Sequence, residues 1–127
     1  MKESEGSGFW YLATPYSKHP GGTDNAFVDA CRVAGQLVAA GVKVYCPIAH
    51  THPIAQYGNI DRFSHEIWMP VDRPFMGAAG GLIVCCMPGW ETSFGILSEL
   101  DVFRAAGKPI VHIGFPVTGS DIERLKR

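Results

Sequence analysis

The run Gly81-Leu82-Ile83-Val84-Cys85-Cys86-Met87 is apolar from end to end, and a strand with no polar face must be covered on both sides. After it come Pro88-Gly89, a polar loop, a helical pattern that ends at Gly107, and a second apolar run, Ile110-Val111-His112-Ile113. Strand, helix and strand in this order imply a parallel sheet with helices laid over its faces.

The rest of the chain repeats the alternation. Phe9-Trp10-Tyr11-Leu12-Ala13, bounded by Gly8 and Pro15, reads as a first strand buried on both faces. Thr14 to Asn25 is loop, with Asp24 or Asn25 as the cap of a helix. That helix carries Ala30, Val33, Ala34, Leu37 and Val38 at helical spacing to about Ala40, and Gly41 closes it. Val42 to Cys46 is the second strand, stopped by Pro47. Ile48 to Ser64 reads as a long loop with at most a helical turn, and His65 to Ala79 as helix divided by Pro70 and Pro74. Pro74 then falls in a first turn, which puts Asp72 at a helix start. Ser120-Asp121-Ile122-Glu123 has the pattern of a capping box opening a short last helix. The expected fold is α/β, a Rossmann/flavodoxin-like three-layer sandwich with a four- to five-stranded parallel sheet. Residues 1–8 read as a disordered lead-in and 9–127 as one domain, as 127 residues lead one to expect.

Composition excludes several classes. A net charge of -1 leaves no electrostatic footprint for a nucleic-acid polymer or an anionic membrane. No apolar run reaches the length of a membrane span, and the polar N-terminus has no signal-peptide core. Cys31, Cys46, Cys85 and Cys86 form no CxxC pair and read as reduced core thiols of a cytoplasmic protein. Cys46, His50 and His52 match no standard zinc spacing, so no metal site is expected.

The site signal is Glu99. At about 100° per residue, Ile96, Leu100, Val102, Phe103 and Ala106 form one apolar arc, and Glu99 falls inside it. Ser98, Asp101 and Ala105 take the opposite side. An acid on the buried side of a helix needs a partner, a cavity or a chemical task. In doubly wound sheets ligands bind beyond the carboxyl ends of the strands, where strand order reverses. The loops Thr14 to Ser17, Pro47 to His52 and Pro88 to Ser93 all lie on that edge, so Glu99, Asp72 and Tyr16 are expected to meet in one crevice.

These residues also carry a resemblance. Tyr11-Leu12-Ala13-Thr14-Pro15-Tyr16 is similar to the first-strand motif of the nucleoside 2-deoxyribosyltransferase superfamily. Ser93-x-Gly95-x-x-x-Glu99, with Gly107-Lys108-Pro109-Ile110 after it, resembles that superfamily's catalytic helix and the next strand. Asp72 falls where such proteins carry a second acid, and the spacing is nearest to the 2'-deoxynucleoside 5'-phosphate N-hydrolases. The resemblance runs from Phe9 to Val111. It implies cleavage of the N-glycosidic bond of a deoxynucleoside or its 5'-monophosphate, by hydrolysis or base transfer, without a cofactor. On this pattern Glu99 attacks the anomeric carbon, as in a retaining glycosidase. Asp72 assists the leaving base or orients Glu99, and Tyr11 or Tyr16 holds the nucleophile. Ser93, the N–H groups around Gly95 and Ser17 face a 5'-hydroxyl or phosphate. Thr14, Tyr16, His50 and Trp90 complete the substrate-binding set. Members are commonly oligomers, and Trp68, Met69 and Phe75 would suit the interface of a homodimer or larger assembly.

The chain departs from that pattern in three places. Thr14-Pro15-Tyr16 replaces a Gly-rich first loop, Gly80 stands where an aspartate is usual, and Glu91-Thr92-Ser93 precedes the helix. Pro47 to Met69 has no counterpart. A catalytically inactive nucleotide-binding or sensor module with the same crevice is therefore the alternative. Each site residue also has a plainer reading. Asp72 and Ser93 can serve as helix caps, Trp90 as a packing aromatic, and His50 and His52 as loop-shaping residues.

Overall fold

A computed structural model describes residues 8–126. The expected lead-in over 1–8 lies, apart from Gly8, outside the described residues.

Strand β1 (Trp10–Ala13) leads through a polar loop to helix α1 (Thr23–Ala39), which returns to the short strand β2 (Val44–Tyr45). Helices α2 (Pro47–Gly58) and α3 (His65–Ala78) then carry the chain back to β3 (Gly81–Cys85). A 3-10 turn over Trp90–Thr92 precedes α4 (Phe94–Ala105), β4 (Ile110–Ile113) and α5 (Gly119–Leu125). The sheet has four strands in the order β2-β1-β3-β4, every pair parallel. Chain order reverses between β1 and β3, so the switch point lies at their carboxyl ends.

The period-two alternation of the strands splits the core. Leu12, Ile83, Cys85 and Ile113 face Ala30, Val33 and Leu37 of α1 and Leu125 of α5. Tyr11, Ala13, Leu82 and Val84 face Met76 of α3 and Ile96, Leu100 and Phe103 of α4. The result is a Rossmann/flavodoxin-like three-layer sandwich. Among the described residues no helix is long and apolar enough to cross a membrane.

Several expected boundaries move. Pro47 does not stop a strand; it opens α2 at the first position, where a missing N–H costs nothing. The expected loop from Ile48 is thus helix to Gly58, with Pro53 inside it, and it ends at Asn59 in the left-handed conformation (φ 57°). Buried His52 and Ala55 anchor this helix, so tertiary packing outweighs the proline. Likewise α3 is continuous through Pro70 and Pro74. Both prolines are exposed and four residues apart, so the ladder bonds they remove lie along one solvent-facing stripe. Asp72 therefore sits in the middle of α3, not at a helix start, which removes its capping reading.

Strand β2 is shorter than Val42 to Cys46, because Val42 N–H bonds the Leu37 carbonyl in the exit from α1. Strand β3 stops at Cys85 and does not reach Met87. Helix α1 starts at Thr23 with Gly22 as its cap residue (φ 88°), not with Asp24 or Asn25. Asn25 instead donates back to the Gly21 carbonyl at 2.7 Å, and Asp24 turns toward His52. The last capping box is Thr118 with Asp121, two residues before the expected one. Asp121 also accepts from Gly114 N–H and is tied to Arg124 at 2.6 Å, contacts that fix it as the acid of the box. On α4 the buried arc is Ile96, Leu100 and Phe103; Val102 and Ala106, expected inside it, are exposed, and Ala106 is the residue that ends the helix.

Candidate active site

The carboxyl ends of β1 and β3 open into a cleft enclosing about 190 Å³. The β1–α1 loop supplies Thr14, Tyr16 and Ser17; α3 supplies Trp68 and Asp72; the start of α4 supplies Ser93, Gly95 and Glu99. Gly89 locks two of these loops together. Its backbone lies so close to the β1–α1 loop that a Cβ there would stand 2.3 Å from the Lys18 carbonyl oxygen, and its φ of 96° already favours glycine.

Ser93 is the cap of α4, its hydroxyl oxygen accepting from Ile96 N–H at 3.3 Å. The Phe94 and Gly95 N–H groups are first-turn donors with no intrahelical acceptor, at the positive end of the helix dipole. One turn on, Glu99 is turned inward at the floor of the cleft. It keeps some accessible surface because the cleft reaches it, yet protein surrounds its carboxyl. Burial pushes that carboxyl up to about 8; donation from Tyr11 pulls it down, and the Asp72 charge pushes it up again. Asp72 is itself raised to about 6 by burial.

Tyr11 lies beneath the floor, wholly buried, between the rings of Tyr45 (5.7 Å) and Phe103 (5.6 Å). Burial, the Glu99 and Asp72 charges and its contact with Glu99 all hold the phenol protonated. Its hydroxyl nevertheless closes no hydrogen bond of good geometry. Among the described residues, the buried side-chain polar atoms left without a partner are Tyr11 Oη, Thr14 Oγ1 and Asp72 Oδ1. Thr14 and Asp72 line the cleft and Tyr11 lies under it, so all three belong to this one place. Buried polar atoms are nearly always paired, and their convergence here makes this cleft the candidate site.

Two residues of the expected binding set stand elsewhere. His50 is exposed on α2, with Tyr45 Oη at 3.2 Å and the Phe75 ring beside it. Trp90 packs edge-on against His112 at 5.5 Å and is not part of the cleft wall. Neither histidine of the Cys46, His50 and His52 set turns toward Cys46, since His52 holds Tyr16 and Asp24 with its two ring nitrogens.

The segment from Pro47 to Met69 supplies a wall that sequence reasoning missed: Thr51, Arg62, Phe63, His65 and Trp68. Arg62 reaches Thr23 Oγ1 at 3.0 Å and sets a cation at the mouth, while His65 stands edge-on to Phe94 at 5.0 Å. The available signal was the pairing of Asn59 and Asp61 before Arg62, a turn between two helices.

Lys108, within the Gly107-Lys108-Pro109-Ile110 stretch, acts on the fold. Its ammonium donates to the carbonyls of Met76, Gly77 and Ala79 at 3.0, 2.8 and 2.7 Å, tying down the end of α3.

Among curated proteins none matches this chain. A family model matches residues 8–114, and the chain belongs to that family, described as Domain of unknown function (DUF1937).

Proposed function

We propose that the chain cleaves the N-glycosidic bond of a deoxynucleoside or its 5'-monophosphate, with Glu99 as nucleophile. The observation that carries this reading is the enclosed carboxyl pair, Glu99 and Asp72, in a cleft lined by the unpartnered Thr14 Oγ1 and Asp72 Oδ1 atoms, with the Tyr11 hydroxyl beneath its floor. A glycosyl-transferring carboxylate needs limited hydration and a firm rotamer, and burial above Tyr11 supplies both. Asp72 is coupled by charge to Glu99, Tyr11 and Tyr45, which supports a role beside the nucleophile. The first-turn N–H groups of α4, with Ser17 and Arg62, suit a 5'-hydroxyl or phosphate. Glu99 displaces the base to form a glycosyl ester, which water resolves in hydrolysis or a second base resolves in transfer.

One observation favours the rival reading of a binding module. A carboxyl pushed up to about 8 is mostly protonated at neutral pH, and a neutral acid binds without attacking. Chromatographic detection of free base from a panel of deoxynucleosides and their 5'-monophosphates separates the two. Release that disappears in Glu99→Ala is expected. No release from any member, with a nucleotide still raising the melting temperature, decides for the binding module.

The proposal extends to the setting. Of the four cysteines expected in the core, Cys46 and Cys85 are buried there, Cys86 is half-buried and Cys31 is exposed on α1; the two buried free thiols support a reducing, cytoplasmic compartment. Of the residues expected at an interface, Met69 and Phe75 pack against the core and Trp68 lines the cleft; Ile67 and Val71 on α3, with Leu97 on α4, are the exposed apolar side chains that suit an interface between copies of this chain. Sedimentation is expected to give a homodimer or larger; a monomer at all concentrations removes that part.

A further inference from the structure

We propose that Asp24, His52 and Tyr16 form a proton relay serving the leaving base, in which Tyr16 is the catalytic residue and the other two are positioning residues. The proposal rests on the glycosidase reading above.

The three residues come from α1, α2 and the β1–α1 loop. His52 is 2% exposed, its ring stacked on Phe27 at 4.6 Å and edge-on to Tyr16 at 5.6 Å, so its orientation is fixed. One ring nitrogen, Nε2, lies 3.1 Å from Asp24 Oδ1, and the other, Nδ1, lies 2.5 Å from Tyr16 Oη. An aspartate carboxylate only accepts, so Nε2 carries a proton. Nδ1 is then the position that exchanges a proton with Tyr16. This is the arrangement of a base oriented by a third group, here with a phenol at its working end. The chain of bonds opens at both ends. Tyr16 lines the cleft with Asp72 and Glu99, and Asp24 is 83% exposed to water. Thr23 and Arg62 also face the Tyr16 hydroxyl, and the Arg62 cation steadies negative charge as it develops on that oxygen. Asp72 is coupled by charge to Glu99, and Tyr16 stands beside it on the cleft wall as a second group able to supply the proton that a departing base requires.

The steps balance. Glu99 forms a bond to the anomeric carbon while the bond from that carbon to the base nitrogen breaks, its electron pair going to the nitrogen. Tyr16 gives its proton to that nitrogen and takes the Nδ1 proton of a doubly protonated His52. His52 is left neutral, keeping its Nε2 proton and donating it in a hydrogen bond to Asp24. Water then attacks the anomeric carbon, the ester bond to Glu99 breaks, and Glu99 leaves as carboxylate. The proton from water goes to Tyr16, and the Tyr16 proton returns to Nδ1.

The test compares two leaving groups in the full-length chain. A natural deoxynucleoside must have its base protonated on departure. The base of 7-methyl-2'-deoxyguanosine, cationic in the substrate, leaves neutral without a proton. Tyr16→Phe is expected to lower kcat/KM for the natural substrate by about 100-fold or more, the usual contribution of a general acid, and to leave the methylated one within about fivefold. Asp24→Asn, an exposed change that spares the core, is expected to show the same selective loss to a smaller degree. His52→Gln joins them if its melting temperature shows it folded. Equal loss on both substrates, or no loss on either, overturns the relay and leaves the glycosidase reading standing. Release of neither base by the wild-type chain overturns both.

Discussion

At the scale of single residues, the site is a contest over one proton. Burial and Asp72 keep it on Glu99, and Tyr11 works against them. The proposed attack requires the ionised form, so on that reading kcat/KM is expected to rise with pH along a limb near 8. The two neighbours should move that limb in opposite directions. Asp72→Asn removes a like charge and lowers it; Tyr11→Phe removes a donor to the carboxylate and raises it. Limbs unmoved in both variants would show that neither residue tunes Glu99. The inward turn of Glu99 was legible because it is local: one acid among Ile96, Leu100 and Phe103 on a helix whose ends, Ser93 and Gly107, are written in the sequence. The Asp24–His52–Tyr16 chain was not legible, since it joins residues 28 and 36 positions apart and no short-range pattern records such a contact.

At the scale of elements, the two carboxyl-bearing helices are held together by a lysine from the loop after one of them. Helix α3 carries Asp72 between two prolines and has lost part of its own hydrogen-bond ladder. Lys108, leaving α4, caps its end with three bonds and lies 5.7 Å above the Phe103 ring. Lys108→Met keeps the aliphatic stem and removes the donors. It is expected to cost about 1–3 kcal/mol, read as a melting temperature lower by about 5 °C or more, and to reduce activity by loosening Asp72. An unchanged melting temperature would mean that water serves those carbonyls equally well. Sequence rules failed at these same elements for one reason. Pro47 reads as a strand stop and Pro70 and Pro74 as helix breaks, but the first is a helix start and the other two are exposed on one stripe of a continuous helix, while Pro53 lies within a helix anchored by His52 and Ala55. The β–α alternation survived the errors because Gly81 to Cys85, covered on both faces, leaves no alternative to a central strand.

At the scale of the whole molecule, the acids at the site and the acid at the last helix pull stability in opposite directions. Burial opposes ionisation of Asp121, but the Thr118 and Gly114 N–H groups and Arg124 outweigh it and hold the carboxyl below its usual range. Its contribution is complete above the unfolded value and is lost as pH falls through the folded one. Asp72 and Glu99 are raised, to about 6 and about 8, so between their unfolded and folded values the native chain binds more protons than the unfolded one. Stability must therefore fall as pH rises, first through the Asp72 window up to about 6 and then through the Glu99 window up to about 8. The Glu99 effect is on the order of 3 kcal/mol, once the shift is discounted for water in the cleft. On the proposed mechanism activity and stability thus run against each other across neutral pH, because the ionised carboxylate proposed to attack is the one the fold disfavours. Glu99→Gln separates them. Its melting temperature is expected to exceed that of the wild-type chain by about 5 °C or more at about pH 9 and to match it near pH 4, with activity absent throughout. A constant difference across that range would mean that Glu99 is not held protonated by its surroundings, and the proposed pH limb would then need another source.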